Sequence, residues 1–396
     1  MSFIKFHADQ LFDGYRFRKQ DEVLITDENG KVYGIIPLSE AGEDIRKVEG
    51  ILCPGFVNAH CHLELSFLKG VIPTHTGLVG FVSQLMQHRN AATEIIEQAI
   101  VDAEAVMIAN GIVAVGDICN TPHTIAQKQK GRIKYQNFIE VAGFVPGAAE
   151  SRFNTIKEIA NQFYNHFPNN TSIVPHAPYS VSLQLLDKIK EHSHNKIFSI
   201  HNQETAQENI FFKEKIGEFL SLYNNLGVDL SFFNNKYNSS VDYYIDRIAK
   251  EMNALFVHNT FTAKEDIDSI VKQISNPYFC LCPAANLYIE NSLPDINLFR
   301  SVNSGNNIVV GTDSLASNHS LSILEELSII QEHHPTIELA ELLKWATING
   351  ARALTLDKSL GSFEINKQPG IIQIINKKYL GNNLVNSTIE VFSCSN

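Results

Sequence analysis

The sequence predicts an α/β fold: a (β/α)₈ TIM barrel that carries a small composite β-sandwich domain formed by both ends of the chain. Between residues 51 and 359, eight short apolar runs alternate with segments of helix length. Such alternation is typical of a parallel sheet with crossover helices, and eight units are the number that closes a barrel. Short β-like pieces occupy residues 1–50 and 360–396, which we expect to pair beside the barrel.

The eight runs are rich in valine, isoleucine and phenylalanine, as expected of strands that are covered on both faces. Helical periodicity between them predicts helices over residues 91–109, 156–167, 183–190 and 206–222. Residues 224–237 interrupt the unit after the fifth run, either as a lid or as an unstructured insertion. The runs span residues 51–60, 112–117, 135–141, 172–176, 197–201, 254–258, 278–282 and 308–313.

Composition excludes several functional classes. The formal net charge of −11 argues against nucleic acid as a partner. The six cysteines form no Cys-x-x-Cys pair, which argues against a disulfide framework and a zinc ribbon. The first residues show no signal-peptide pattern, and no apolar run is long enough to cross a membrane. We therefore expect a cytoplasmic protein with neither a membrane nor a nucleic-acid partner.

Histidines and an aspartate at the ends of the runs predict a metal site. His60 and His62 are two residues apart on a strand, so their imidazoles project from the same face. His201 ends the fifth run and Asp313 the eighth, and the carboxyl ends of barrel strands meet at one mouth. Either residue alone could be a hydrogen-bonded core group, but together the four have the ligand types of a catalytic metal. No lysine ends the third or fourth run to bridge two ions, so we expect a single divalent ion.

Three further residues are candidates for chemistry. Glu204 follows His201 by three positions and could transfer a proton beside the ion, although an acid in a first helical turn also suits the helix dipole. His258 ends the sixth run and could face the reacting water. His176 ends the fourth run as a substrate contact or a ligand. We expect Glu208 to be solvated, and six histidines in helical or loop segments to lie at the surface: His88, His166, His192, His194, His333 and His334.

The motifs around these residues resemble the amidohydrolase superfamily. They are Pro-Gly-Phe-Val-Asn-Ala-His-Cys-His at 54–62, His-Ala-Pro-Tyr at 176–179, His-x-x-Glu at 201–204, Gly-Thr-Asp-Ser-Leu-Ala-Ser-Asn at 311–318 and Asn-Gly-Ala-Arg-Ala-Leu at 349–354. The chain is most similar to the cytosine deaminase/chlorohydrolase-like branch, which includes aminodeoxyfutalosine and adenosylhomocysteine deaminases. The resemblance implies one zinc or iron ion, a barrel with a composite β-sandwich, and hydrolysis at an exocyclic amine. It also suggests a homodimer.

The sequence therefore predicts a metal-dependent deaminase acting on a purine- or pyrimidine-like heterocycle, with an adenine nucleoside such as aminodeoxyfutalosine as one candidate substrate. His60, His62, His201 and Asp313 are the expected ligands, most simply of zinc, with iron as the second choice. Asp313 and His258 would orient and deprotonate the attacking water, Glu204 would protonate the ring nitrogen, and His176 would hold the ring. Two alternatives stay open: the same fold acting on another leaving group, as a chlorohydrolase or amidase, and a catalytically silent scaffold barrel.

Overall fold

The computed structural model describes residues 3–192, 194–376 and 384–393. Eight parallel strands form two four-stranded halves, in the orders β5-β6-β7-β8 and β12-β11-β10-β9. A parallel bridge joins Cys61 to Asp313 at one seam, and the His201 amide donates to the His176 carbonyl at 2.9 Å at the other. The predicted barrel is therefore confirmed. Its strands are β5 Phe56–Cys61, β6 Ile112–Cys119, β7 Lys134–Val141, β8 Thr171–Pro175, β9 Ile197–Asn202, β10 Asn253–His258, β11 Asn276–Leu281 and β12 Ile308–Val310.

Helices alternate with these strands as predicted, with one break that the periodicity did not show. The single helix expected over residues 206–222 is two helices, because Lys215 and Gly217 adopt positive φ angles of 55° and 88°. Among the described helices, none has the length and apolar character of a membrane span. The α-helices are α1 Gly77–His88, α2 Thr93–Ala109, α3 Ile125–Lys128, α4 Ala149–Tyr164, α5 Leu183–Glu191, α6 Ala206–Glu214, α7 Glu218–Asn225, α8 Ser240–Tyr244, α9 Lys264–Gln273, α10 Pro283–Glu290, α11 Ile296–Arg300, α12 Ile323–His333, α13 Leu339–Lys344 and α14 Gly350–Ala353.

Both ends of the chain contribute to one six-stranded sheet beside the barrel. Its order is β14-β13-β4-β1-β2-β3, so the two C-terminal strands extend a sheet begun by the N-terminal residues. Asn29 and Gly30 lie in the turn between β2 and β3, which pair antiparallel. The strands are β1 Phe3–Leu11, β2 Glu22–Asp27, β3 Val32–Pro37, β4 Ile45–Pro54, β13 Ile371–Ile375 and β14 Thr388–Ser393.

Gly55 connects the sheet to the barrel, between the end of β4 and the start of β5. A β-carbon at this position would lie 2.4 Å from Val113 Cγ1 and 2.9 Å from the Pro369 carbonyl oxygen. A larger residue would therefore push the chain ends away from the barrel. Glycine here keeps the first barrel strand, which carries the two paired histidines, in close contact with the small domain.

The segment between α7 and α8 is a loop, as predicted for residues 224–237, and aromatic packing anchors it. The Phe233 ring is buried and stacks on Phe211 with centroids 4.8 Å apart. Phe144, which follows β7, contacts both Phe232 and Phe233. The loop is therefore not an unstructured insertion, and its role as a lid stays a prediction.

Candidate metal centre and active site

The barrel brings the four predicted metal ligands together at the carboxyl ends of β5, β9 and β12. His62 Nε2 lies 3.2 Å from His60 Nε2 and 3.2 Å from His201 Nε2. Asp313 Oδ1 lies 3.3 Å from His62 Nε2 and 3.5 Å from His60 Nε2. All four residues are buried, and each offers one ligand atom to the cluster. The four residues that the sequence predicts as ligands therefore lie together, and their role as ligands stays a prediction.

Close packing of β12 against β5 fixes Asp313 beside the two histidines. A β-carbon on Gly311 would lie 2.9 Å from the His60 backbone, so only glycine permits the approach. The amides of Thr312 and Asp313 both donate to the His60 carbonyl, at 3.0 and 3.1 Å. The Asn58 side chain also donates to Thr312 Oγ1 at 2.7 Å. These contacts join the eighth strand to the first at the height of the ligands.

The donor set fits one divalent ion. Tetrahedral coordination with bonds of about 2.1 Å places ligand atoms about 3.4 Å apart, close to the separations observed here. Burial lowers the pKa of His62 to about 3 and that of His201 below its ordinary value, so both imidazoles are neutral, as metal ligation requires. His201 Nδ1 donates to the His176 carbonyl at 2.8 Å, which leaves the lone pair on Nε2, directed at the cluster.

A buried ion pair supports the strand end that carries His62. Asp117 Oδ1 accepts a hydrogen bond from the Leu63 amide at 2.8 Å, directly after His62. Its other oxygen pairs with Lys128 Nζ at 2.5 Å, and both side chains are completely buried. Lys128 also donates to Asn137 Oδ1 on β7 at 2.8 Å. The paired histidines thus rest on a charged network that spans three elements.

Substitution of Lys128 by methionine should lower the free energy of unfolding by about 3–5 kcal/mol, because it leaves the Asp117 carboxylate buried without its cation. Urea unfolding measures this change. The matched control is Lys264→Met, which removes an exposed lysine paired with Asp268 and should cost at most about 1 kcal/mol. Equal losses in the two variants would show that the buried pair does not stabilise the barrel.

Glu204 and His258 face each other beside the ligand cluster. Glu204 Oε1 lies 3.6 Å from His258 Nε2, and the other ring nitrogen of His258 is 2.9 Å from Asn286 Oδ1. Because the Asn286 oxygen only accepts, Nδ1 carries the proton and Nε2 presents a lone pair towards Glu204. Burial raises the pKa of Glu204 well above its ordinary value, and the Asp313 carboxylate adds to the shift. Such a carboxyl can hold a proton near neutral pH and release it to a bound group.

His176 lies at the end of β8, next to the cluster. Its Nδ1 is 2.7 Å from Ser180 Oγ, and its ring centroid is 4.9 Å from that of His201. Burial lowers its pKa to about 4, so the ring is neutral at physiological pH. The position suits a hydrogen bond to a neutral heterocycle, and the substrate-contact role stays a prediction.

Sequence reasoning missed three residues at this site. Ser317 Oγ donates to Asp313 Oδ2 at 2.5 Å, and Asn286 sets the tautomer of His258. Glu140, at the end of β7, lies with Oε1 3.5 Å from His201 Nδ1. The rule that barrel chemistry sits at carboxyl strand ends could have found Glu140, since it is an acid in the last two residues of the third run. Nothing in the local sequence marks Asn286, which lies on α10 and contacts His258 at the end of β10.

Glu208 corrects one expectation. It was predicted to be solvated but is completely buried in the first turn of α6, where Oε1 accepts from the Gln203 amide at 3.1 Å. Helix α8 packs against α6, so the first turn of α6 faces protein instead of water. By contrast, the prediction for the six histidines holds: none of them is buried.

The buried Glu208 carboxyl predicts a pH dependence of stability. Burial raises its pKa to about 8, so the folded state holds the proton more tightly than the unfolded state, whose pKa is near 4.5. Stability from this group is complete below pH 4.5 and declines until about pH 8. Between pH 5 and 8.5, the wild type should therefore lose more unfolding free energy than Glu208→Gln, by about 2–4 kcal/mol. Urea titrations at both pH values test this, and parallel losses in the two proteins would contradict it.

Known proteins resemble this chain in sequence and in fold. The sequence profile described as "Amidohydrolase family" matches residues 51–394. The chain belongs to this family. It is 29% identical over 330 residues to an adenosine deaminase of Helicobacter pylori, covering 80% of this chain and 77% of the relative. It is 25% identical over 310 residues to an aminodeoxyfutalosine deaminase of Nitratiruptor sp., covering 76% and 73%.

Among solved structures, an aminofutalosine deaminase of Helicobacter pylori in complex with methylthio-coformycin superposes with a TM-score of 0.84. Sequence identity is 24%, and the match covers 98% of this chain and 97% of the other, so the whole architecture is shared. The predictions of the amidohydrolase family, of its barrel fold and of a hydrolytic aminohydrolase are therefore confirmed. With the ligand cluster and Glu204 in place, the silent-scaffold alternative loses its basis.

Proposed function

We propose that this amidohydrolase releases ammonia from the exocyclic amine of an adenine nucleoside, using one divalent ion. The observation that carries the proposal is the cluster of His60, His62, His201 and Asp313 with the Glu204 carboxyl beside it. The deaminase relatives support the reaction, and their adenine nucleosides support the substrate class. Three imidazoles and a carboxylate suit zinc first and iron second.

A bound ion would activate water as a Lewis acid. The residues of the chain divide the remaining tasks. His258, held by Asn286, and Asp313, held by Ser317, orient the attacking water and accept its proton. Glu204 donates its proton to the ring nitrogen next to the reacting carbon, takes a proton back from the hydroxyl group newly attached to that carbon, and delivers it to the departing amine. The proton accepted by His258 and Asp313 then restores the Glu204 carboxyl. His176 holds the ring through a hydrogen bond. In this scheme Glu204 carries the proton that turns the amino group into a leaving group.

Ammonia release by zinc-loaded protein tests the proposal. The panel contains adenosine, adenosylhomocysteine, aminodeoxyfutalosine, guanine and cytosine. We expect turnover of adenine nucleosides and its loss on chelation. Chloride release from a chlorotriazine, or an amide product, with no ammonia from any panel member would contradict deamination and favour the other leaving group on the same residues.

Metal analysis of the purified protein tests the single-ion proposal. About one ion per chain is the expected result, because the described residues include no lysine at the carboxyl ends of β7 and β8 that could bridge two ions. Two ions per chain would overturn it. A homodimer and a cytoplasmic location also stay predictions.

A further inference from the structure

Glu140 is a third acidic side chain that is buried as deeply as the two in the proposed mechanism. Its side chain is 7% exposed, compared with 7% for Asp313 and 6% for Glu204. It lies at the carboxyl end of β7, and its Oε1 is 3.5 Å from Nδ1 of the ligand His201. Asp313 and Glu204 have tasks in the proposed mechanism, whereas Glu140 has none.

Within the part of the chain that the structure describes, only one of the two carboxyl oxygens of Glu140 accepts a hydrogen bond. Asn120 Nδ2 donates to Oε2 at 3.2 Å, but Oε1 has no hydrogen-bond partner. The N–H group of His201 Nδ1, 3.5 Å from Oε1, already donates to the His176 carbonyl at 2.8 Å. No described lysine or arginine forms an ion pair with Glu140. A buried carboxyl oxygen without a hydrogen-bond partner costs free energy, so its retention at an active site calls for a partner.

A second metal ion fits this position poorly. Glu140, His176 and His201 do lie close enough to be considered as ligands. However, the His201 nitrogen on that side carries a proton, which is held by the His176 carbonyl. His176 Nδ1 is in turn occupied by Ser180. Without His201, this group offers an ion only Glu140 and His176 Nε2, fewer than the three protein ligands of a typical catalytic zinc ion. A hydrogen-bond donor is therefore the partner that fits Glu140 Oε1.

The chemistry of an adenine nucleoside limits what that donor can be. The ring nitrogens N1, N3 and N7 are acceptors, and the exocyclic amine belongs beside the metal ligands and Glu204. N9 carries the sugar and has no hydrogen. The remaining donors are the hydroxyl groups of the sugar, and a buried carboxylate oxygen accepts them with charge-assisted strength.

We propose that Glu140 is a specificity-determining residue whose free oxygen accepts hydrogen bonds from the sugar hydroxyls of the substrate. This inference rests on the proposed function and names the part of the nucleoside that the site recognises. A site built to bind a hydroxyl discriminates strongly against analogues that lack it, because the buried acceptor is then left unpaired. The enzyme should therefore prefer a ribonucleoside to its dideoxy analogue by about 100-fold in kcat/KM.

The experiment compares two substrates on four proteins. Adenosine and 2′,3′-dideoxyadenosine are assayed with the wild type, Glu140→Ala, Glu140→Gln and the control Glu158→Gln, which changes an exposed acid on α4. We expect the ratio of kcat/KM values, about 100 in the wild type and in the control, to fall below about 3 in Glu140→Ala. Glu140→Gln should keep an intermediate ratio, since its amide oxygen still accepts a hydrogen bond. Metal content is measured for every variant.

The outcomes separate this inference from the proposed function. If neither nucleoside nor any other panel member releases ammonia, the proposed function fails. If the wild type deaminates both nucleosides equally well, the function stands and the role of Glu140 is overturned. A Glu140→Ala variant whose ratio stays at the wild-type value, however low its absolute activity, would also overturn it, because a purely structural defect slows both substrates alike. The wild-type ratio is informative even if no variant folds.

Discussion

Replacing Glu204 by glutamine should lower kcat by about three orders of magnitude while leaving the bound metal in place. Glutamine has nearly the same shape, so the packing around the side chain is kept. It cannot carry the proton that the ring nitrogen and the departing amine need. The side chain is 3.6 Å from His258 and is not part of the four-residue ligand cluster, so metal affinity should not change. Steady-state ammonia release and metal analysis on the same preparation measure both quantities.

The matched control for this variant is Glu214→Gln. Glu214 is an exposed acid at the end of α6, the helix that follows Glu204. It should be indistinguishable from the wild type in both measurements. If Glu204→Gln kept full turnover, Glu204 would have no part in proton transfer, and His258 would be the remaining candidate. If it lost its metal, the carboxylate would belong to the ligand set instead.

The convergence of the four proposed metal ligands could be predicted from sequence because the rules that place them are local or topological. His60 and His62 share a face because strand side chains alternate, and this holds in any strand. His201 and Asp313 join them because carboxyl ends of parallel barrel strands meet at one mouth. These two rules need no distances. They fix which residues converge, and the structure adds separations of 3.2–3.5 Å between the ligand atoms.

Other features depend on contacts between distant segments, and the sequence could not reveal them. Glu208 occupies a helix position that usually faces solvent, and its burial follows from the packing of α8 against α6. Helix α6 ends at Lys215, which adopts a positive φ although it is not a glycine, and Gly217 two residues later is the local mark of this break. Oxygen Oε1 of Glu140 has no hydrogen-bond partner because of the residues that surround it in the folded barrel. The sequence does not show which residues these are.

Asp313→Asn should weaken zinc binding by at least about 100-fold and reduce turnover to near background. Asp313 is the one anionic ligand in a cluster of neutral imidazoles, and its Oδ1 lies within 3.5 Å of both His60 and His62. Asparagine fills the same space but removes the charge that balances the ion. It also removes a group that the mechanism uses to orient water. Competition with a chromophoric chelator gives the zinc affinity, and ammonia release gives the turnover.

Ser317→Ala separates the two contributions of Asp313. This variant keeps the charge but removes the 2.5 Å hydrogen bond to Oδ2, so the carboxylate loses its fixed orientation. Loss of such an outer partner typically costs 10–100-fold in affinity or activity, so Ser317→Ala should fall between the wild type and Asp313→Asn. Asp268→Asn, at an exposed position on α9, is the neutral control. Wild-type zinc affinity in Asp313→Asn would remove Asp313 from the ligand set. The other three ligands, all histidines, would then need an anion from outside the cluster to balance the charge of the ion.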